Sequence, residues 1–299
     1  MVNSASDKPN LEARPMAPPT VSRCLFCGTT AGKRTREHIW RNSLRSRFQK
    51  VESLTFWNRV GLDTDELVHT RPISQFDMTV NAVCSDCNSG WLNALEDLAL
   101  PSLVFFALGS GPVPTRTQLD DFAFWAVTRS LLRTHYSPAG RAPESLFRTV
   151  YDQRESRVIP TGCIVSIAPT QPVSMEAGTH QSVRLDGHNF LGHVAVSWGT
   201  LLISVLLASP DPLTIGLAAQ ACSQQRQWFP RAFWQLAPFV PPSSPGYVLE
   251  PADTVLAGAL LGFLLDLRPA EQFGNPLDLG SRVPPERRGE VPWRAGWSN

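Results

Sequence analysis

The spacing of apolar positions changes along the chain, from a helical period to a strand period near residue 159. Trp91, Leu92, Leu95 and Leu98 recur at helical spacing and predict a helix starting near Asn88 or Ser89. Residues 119–133 carry Phe122, Trp125, Ala126 and Leu132, with Thr117 and Asp120 as an N-terminal cap signal, and read as a largely buried helix. A further helix is expected over residues 144–153, with Leu146, Phe147, Val150 and Tyr151 on its apolar side. Upstream, Ile39, Leu44 and Phe48 suit an amphipathic helix with a basic outer face, preceded by a turn and a short strand that ends at Glu37-His38. From Ile159 onward the runs "GCIVSIAP", "HVAVSWG" and "TLLISVLLA" are short, β-branched and bounded by Gly and Pro, so they predict strands. Val194, Val196 and Trp198 alternate with smaller residues, as in a half-buried antiparallel strand. "RAFWQLAPF" reads as one more strand, whereas residues 252–267 suit a last helix or a buried strand equally well.

The pattern places the chain in the α+β class. "GSGPVPT" at 109–115 is a cluster of helix and strand breakers and marks an expected boundary. The expected organisation is a disordered N-terminal tail (1–21), a small module (22–108), a mixed helix and antiparallel-sheet domain (109–268), and a Pro/Arg/Gly-rich tail (269–299). Apolar residues make up 42% of the 299 and charged residues 18%, the balance of a globular chain. The runs at 200–208 and 255–267 fall short of the roughly 18–20 residues a membrane span needs, and no targeting segment is evident. The expectation is a cytoplasmic protein without a membrane partner.

Charge alters this picture locally. The net charge is +1, yet residues 1–60 hold 11 Lys/Arg against 4 Asp/Glu, and the remainder is acidic. A concentrated basic segment suits a polyanion, although a solvated basic face has the same composition. That segment also holds the first of two C-x2-C pairs, Cys24/Cys27, and after a gap of 56 residues comes Cys84/Cys87. Such knuckles favour a four-thiolate structural Zn2+ over disulfides when no secretion signal is present. Gly28 suits the positive φ common in a knuckle. Cys163 and Cys222 stand alone and read as small core residues.

Between and beside these knuckles, C-x2-C, then Glu37-His38 with a following apolar residue, then C-x2-C-Asn leading into a helix, resembles the HNH endonucleases. The match is to their zinc-stapled, four-cysteine branch with the ββα-metal fold, and it covers residues 22–100. The resemblance implies hydrolysis of phosphodiester bonds in DNA. It assigns His38 as the general base that activates water, Glu37 and Asn88 as groups facing a catalytic divalent metal, and Asn81 as the residue that orients the histidine. Glu96 lies two helical turns beyond Asn88 and is a candidate further oxygen ligand; oxygen donors suit Mg2+ or Mn2+. The chain departs from the family in carrying Trp40-Arg41 where a proline is common, and acids rather than a base after the second knuckle. The alternative is a catalytically inactive HNH-like zinc module that binds nucleic acid or a protein partner.

Residues 109–268 offer no comparable motif. His188 and His193 read as structural or surface residues, and Trp57, Trp228 and Trp234 read as packing residues more readily than as platforms for bases. Substrate choice, a partner surface and dimerisation all remain open for this region.

Overall fold

A computed structural model describes residues 23–46, 56–60, 75–136, 140–169, 178–185, 189–228 and 233–238. The two predicted tails, Phe48, His188 and the apolar run at 252–267 lie outside the described residues.

The architecture is α+β. Strands β1 (Arg34–His38) and β3 (Thr79–Cys84) form an antiparallel ribbon. A helical rod, Ser85–Leu108, follows directly. It comprises one turn, α1 (Ser85–Cys87), a wide π-type turn (Asn88–Leu92), and α2 (Asn93–Leu108). Next come α3 (Arg116–Tyr136) and α4 (Glu144–Asp152). A six-stranded sheet then collects β2 (Phe56–Val60), β4 (Ile164–Pro169), β5 (Gly178–Leu185), β6 (Asn189–Trp198), β7 (Leu201–Ala208) and β8 (Trp234–Ala237) in the order β2-β5-β6-β7-β4-β8. Every pairing in it is antiparallel except β2 with β5. Helix α5 (Pro212–Trp228) begins with Pro at its first position. The Thr214 N–H donates to the Asp211 carboxylate, which satisfies one donor of the first turn.

The sheet is covered on both faces, and this decides its sequence pattern. Ile203, Val205 and Leu207 of β7 join the core that contains α3, whereas Leu202 and Leu206 pack with Ala218, Ala221 and Cys222 of α5. Both faces of β7 are dry, so it reads as an unbroken apolar run rather than an alternating one. On β6, Val194, Val196 and Trp198 share one face, all buried, and Ala195 on the other face is buried too. Cys163 and Cys222 are core residues, 2% and 1% exposed.

One sequence expectation changes. The helix expected from Ile39 onward is a short 3-10 segment, Asn42–Ser46. Ile39, Trp40 and Leu44 are all buried, so this stretch lacks the single apolar face an amphipathic helix presents. Trp40 wedges between Trp125 and Trp198 at ring-centroid separations of 5.8 and 4.7 Å. Packing of that residue overrides the local preference. The expected break at 109–115 begins with Gly109, which ends α2 in a left-handed cap, but one core runs from Cys24 through Ala237 on both sides of it. The β6–β7 turn sits directly on the end of α2: the Thr200 N–H donates to the Ala107 carbonyl, and a Cβ on Gly199 would lie 2.3 Å from that same oxygen. Strand β2, from the segment between the knuckles, pairs with β5 of the sheet.

Candidate metal centre and the cleft beside it

The first knuckle is a tight turn. The Gly28 N–H donates to the Cys24 carbonyl, and the Cys24 N–H donates to Thr29. Gly28 has φ +78°, which an L side chain adopts at a cost. A Cβ there would also lie 1.9 Å from the Arg148 guanidinium, which donates to the Phe26 carbonyl at 2.7 Å. The second knuckle is made by the end of β3 and the first helical turn. The Leu25 N–H donates to Ala82, which holds the two knuckles together through the backbone.

Their four sulfurs, from Cys24, Cys27, Cys84 and Cys87, lie within 4.8 Å of one another. Tetrahedral zinc with Zn–S near 2.3 Å requires sulfur separations of about 3.8 Å; the Cys27 and Cys84 sulfurs are 3.6 Å apart. The Cys87 thiol hydrogen-bonds Cys24 and holds its pKa down to about 4, while the same bond and burial push Cys87 up. Burial also raises Cys84. Three of the four thiols are buried and Cys27 is half-buried, and thiolates gathered this closely need a cation between them. The cluster fits a structural metal such as zinc.

Beside it lies a cleft of about 300 Å³ lined by Arg36, Glu37, His38, Arg41, Asn88, Asn93, Glu96 and Arg129. A register shift between Thr35 and Glu37 bulges β1 against β3 and re-aims the strand end. Glu37 is buried and His38 half-buried as a result. The His38 Nδ1 lies 2.8 Å from the Phe76 carbonyl oxygen. A carbonyl only accepts, so Nδ1 carries a proton, and in the neutral ring Nε2 holds the lone pair. The Thr35 hydroxyl donates to Val83 and therefore accepts from Asn88, whose Nδ2 lies 2.9 Å away. That orientation leaves the Asn88 amide oxygen for the cleft.

The wide turn at Asn88–Leu92 explains how Asn88 and Glu96 share this cleft. In a regular α-helix an eight-residue separation leaves side chains about 80° apart. The π-type turn, with Gly90 outside helical φ/ψ, absorbs one residue and brings the pair to about 20°. Asn88 thus sits inside the helical rod, and the residue preceding its first turn is Cys84, in an extended conformation. Asn81 stands exposed on β3, and the bond to the His38 ring comes from Phe76 instead.

The carboxylates are tied down by a residue from outside the motif. Arg129 of α3, 2% exposed, places Nη1 2.5 Å from Glu37 Oε1 and 3.1 Å from the His38 carbonyl, and Nη2 2.8 Å from Glu96 Oε1. Burial raises the Glu96 pKa; Arg129 opposes that shift and Glu37 adds to it. Arg41 approaches Glu96 at 3.6 Å and pairs with Asp97 at 2.5 Å; Arg45 pairs with Asp77. Part of the basic segment is therefore neutralised locally, while Arg36 is exposed at the cleft rim.

Arg129 and Phe76 were not singled out by sequence. Phe76 acts through its backbone, which leaves no side-chain signal. Arg129 did leave one: an arginine within the largely apolar run "FAFWAVTRSLL" is a residue that must find a buried anion. Elsewhere, His193 is fully buried on β6 with Nε2 3.1 Å from the Ser204 hydroxyl, and Trp234 is a core residue beside Phe106. The side chains of Trp57 and Trp228 lie outside the described residues. Comparison of the chain with protein-family models, with curated proteins and with solved structures found no match in any of the three.

Proposed function

We propose that the protein is a metal-dependent endonuclease of the HNH type, with an HNH-like ββα-metal module, hydrolysing phosphodiester bonds in DNA. The observation that carries this reading is the His38 ring: Nδ1 is committed to the Phe76 carbonyl, and Nε2 is a free base in a cleft it shares with Asn88, Glu37 and Glu96. Nε2 takes a proton from water as the water oxygen bonds to phosphorus. The bond from phosphorus to the 3′ oxygen breaks, and that oxygen leaves with a proton from solvent. The second oxygen of Glu37 and the amide oxygen of Asn88 would hold Mg2+ or Mn2+, hard cations that prefer such donors. When bound, the cation supplies charge compensation for the leaving oxygen. Arg36 at the rim contacts the flanking phosphates.

Purified protein incubated with plasmid DNA and Mg2+ or Mn2+ tests the reading. Nicking is expected, and His38→Ala should reduce it about 10²- to 10⁴-fold. Equal nicking by the variant, or none by wild type with either metal, removes the catalytic claim. A second reading, an inactive zinc module that binds nucleic acid or a protein partner, draws on a separate observation. Among the described residues, the four cysteines are the one group of metal-ligating side chains that converges, and one oxygen of each cleft glutamate faces Arg129. DNA binding without cleavage would favour it.

A further inference from the structure

We infer that Arg129 is a positioning residue of the His38 cleft: a single guanidinium from α3 fixes the end of β1 and the Glu37 carboxylate relative to α2. The catalytic part of this inference rests on the reading above.

Two hydrogen-bond acceptors and one ion-pair partner, from two separate elements, meet on Arg129. Glu37 Oε1 and the His38 carbonyl belong to the end of β1, and both share Nη1, at 2.5 and 3.1 Å. Glu96 Oε1 belongs to α2 and faces Nη2 at 2.8 Å. The bond to the His38 carbonyl matters most, because it ties the cation to the backbone that carries the imidazole. The Phe76 carbonyl fixes the rotation of the ring; Arg129 adds a side-chain tie at the His38 carbonyl to the backbone pairing with β3. Only a planar fork bridges β1 and α2 in this way. A lysine ammonium is a point charge that would serve one side and leave the other without its short, buried contact. Arg129, Glu37 and Glu96 are all buried, at 2%, 6% and 8% exposure, so water does not replace a lost partner cheaply.

The neighbours of Arg129 support a fixed rather than an adaptable side chain. It lies one helical turn beyond Trp125, which stacks on Phe122 at 5.5 Å and packs against Trp40 and Trp198. Trp40 is two residues after His38, so the same helix braces β1 through an aromatic contact and through an ion pair. Arg41, the other cation near Glu96, sits at the solvent side and is shared with Asp97.

The test compares full-length wild type, Arg129→Lys and Arg129→Ala. With DNA and Mg2+ or Mn2+, Arg129→Lys should lower kcat about 100-fold with KM little changed, as expected of a displaced base. Millimolar guanidinium should restore Arg129→Ala, whose cavity admits it, and leave Arg129→Lys unaffected. Wild-type kcat in Arg129→Lys, or a loss confined to KM, overturns the inference. If Arg129→Ala does not fold, Arg129→Lys carries the test alone. A second readout does not require cleavage: the ¹H–¹⁵N signal of the His38 Nδ1–H, bonded to Phe76, should move or broaden in Arg129→Lys. An unmoved signal overturns the positioning role. An inactive wild type with a displaced signal in the variant removes the nuclease reading and leaves the positioning role standing.

Discussion

Removing the metal from the four-cysteine cluster is the perturbation with the clearest structural magnitude. A zinc ion joining Cys27 to Cys84 closes a loop between residues 57 apart. The chain-entropy relation for a crosslink of that span amounts to about 4 kcal/mol, with the loop-length dependence itself being slow. The thiolate–zinc bonds add to this, but the module does not depend on them alone. Phe26 packs edge-on against Trp91 and Phe147 at 5.0 and 5.4 Å, and Arg148 holds the Phe26 carbonyl. Loss of the ion should therefore lower stability without unfolding the sheet, whose own core lies against α5. At about 2–4 °C per kcal/mol for a domain of this size, the entropic part alone lowers Tm by roughly 8–16 °C. Thermal melting before and after a strong chelator, with metal content measured on both samples, checks this. A Tm within about 2 °C after verified metal loss would refute the reasoning, because it would show that the knuckles close without an ion.

Acid should weaken the fold. His193 is fully buried with its pKa pushed down to about 3, burial moves His180 in the same direction, and His135 falls to about 4. A histidine whose folded pKa lies below its unfolded value near 6.5 leaves the unfolded state binding the extra proton, so stability is lost as pH falls below 6.5. His193 alone accounts for about 2 kcal/mol at pH 5. Urea midpoints at pH 7, 6 and 5 should decline, and a constant midpoint contradicts the burial of these rings. Gly28→Ala should cost about 1–3 kcal/mol from the left-handed backbone alone, and more because Arg148 must leave the Phe26 carbonyl. An unchanged melting temperature would count against the knuckle geometry.

What was legible in the sequence depended on whether the signal was local. The cysteine pairs were, because C-x2-C spacing encodes a turn without reference to the rest of the chain. Helix α3 and strand β7 were, α3 through a long helical run and β7 through an unbroken apolar stretch bounded by Gly and Pro. Strand β5 was not: "GTHQSVRL" buries His180 and Ser182 where the pattern looks for aliphatic residues. The 3-10 segment after His38 was masked by Trp40, whose place is set by Trp125 and Trp198, more than 80 residues away in sequence. The cleft divides the same way. Glu37, His38 and Asn88 stand next to local landmarks, whereas Arg129 reaches them only through the packing of α3. The expected boundary at 109–115 rested on Gly and Pro content, which marks the turn but says nothing about whether the core continues beneath it.

The kinked turn at Asn88–Leu92 also bears on how such chains are compared. A π-type turn is, in effect, one residue inserted into an α-helix and absorbed without disturbing either end. A relative lacking that residue would place the same amide and carboxylate on the same side of its helix at a separation of seven instead of eight. An alignment scored on gapless helices would then pair Glu96 with its neighbour, and a pattern written with fixed spacing would pass over the chain. Within this stretch, allowing a slip of one is the geometrically correct choice.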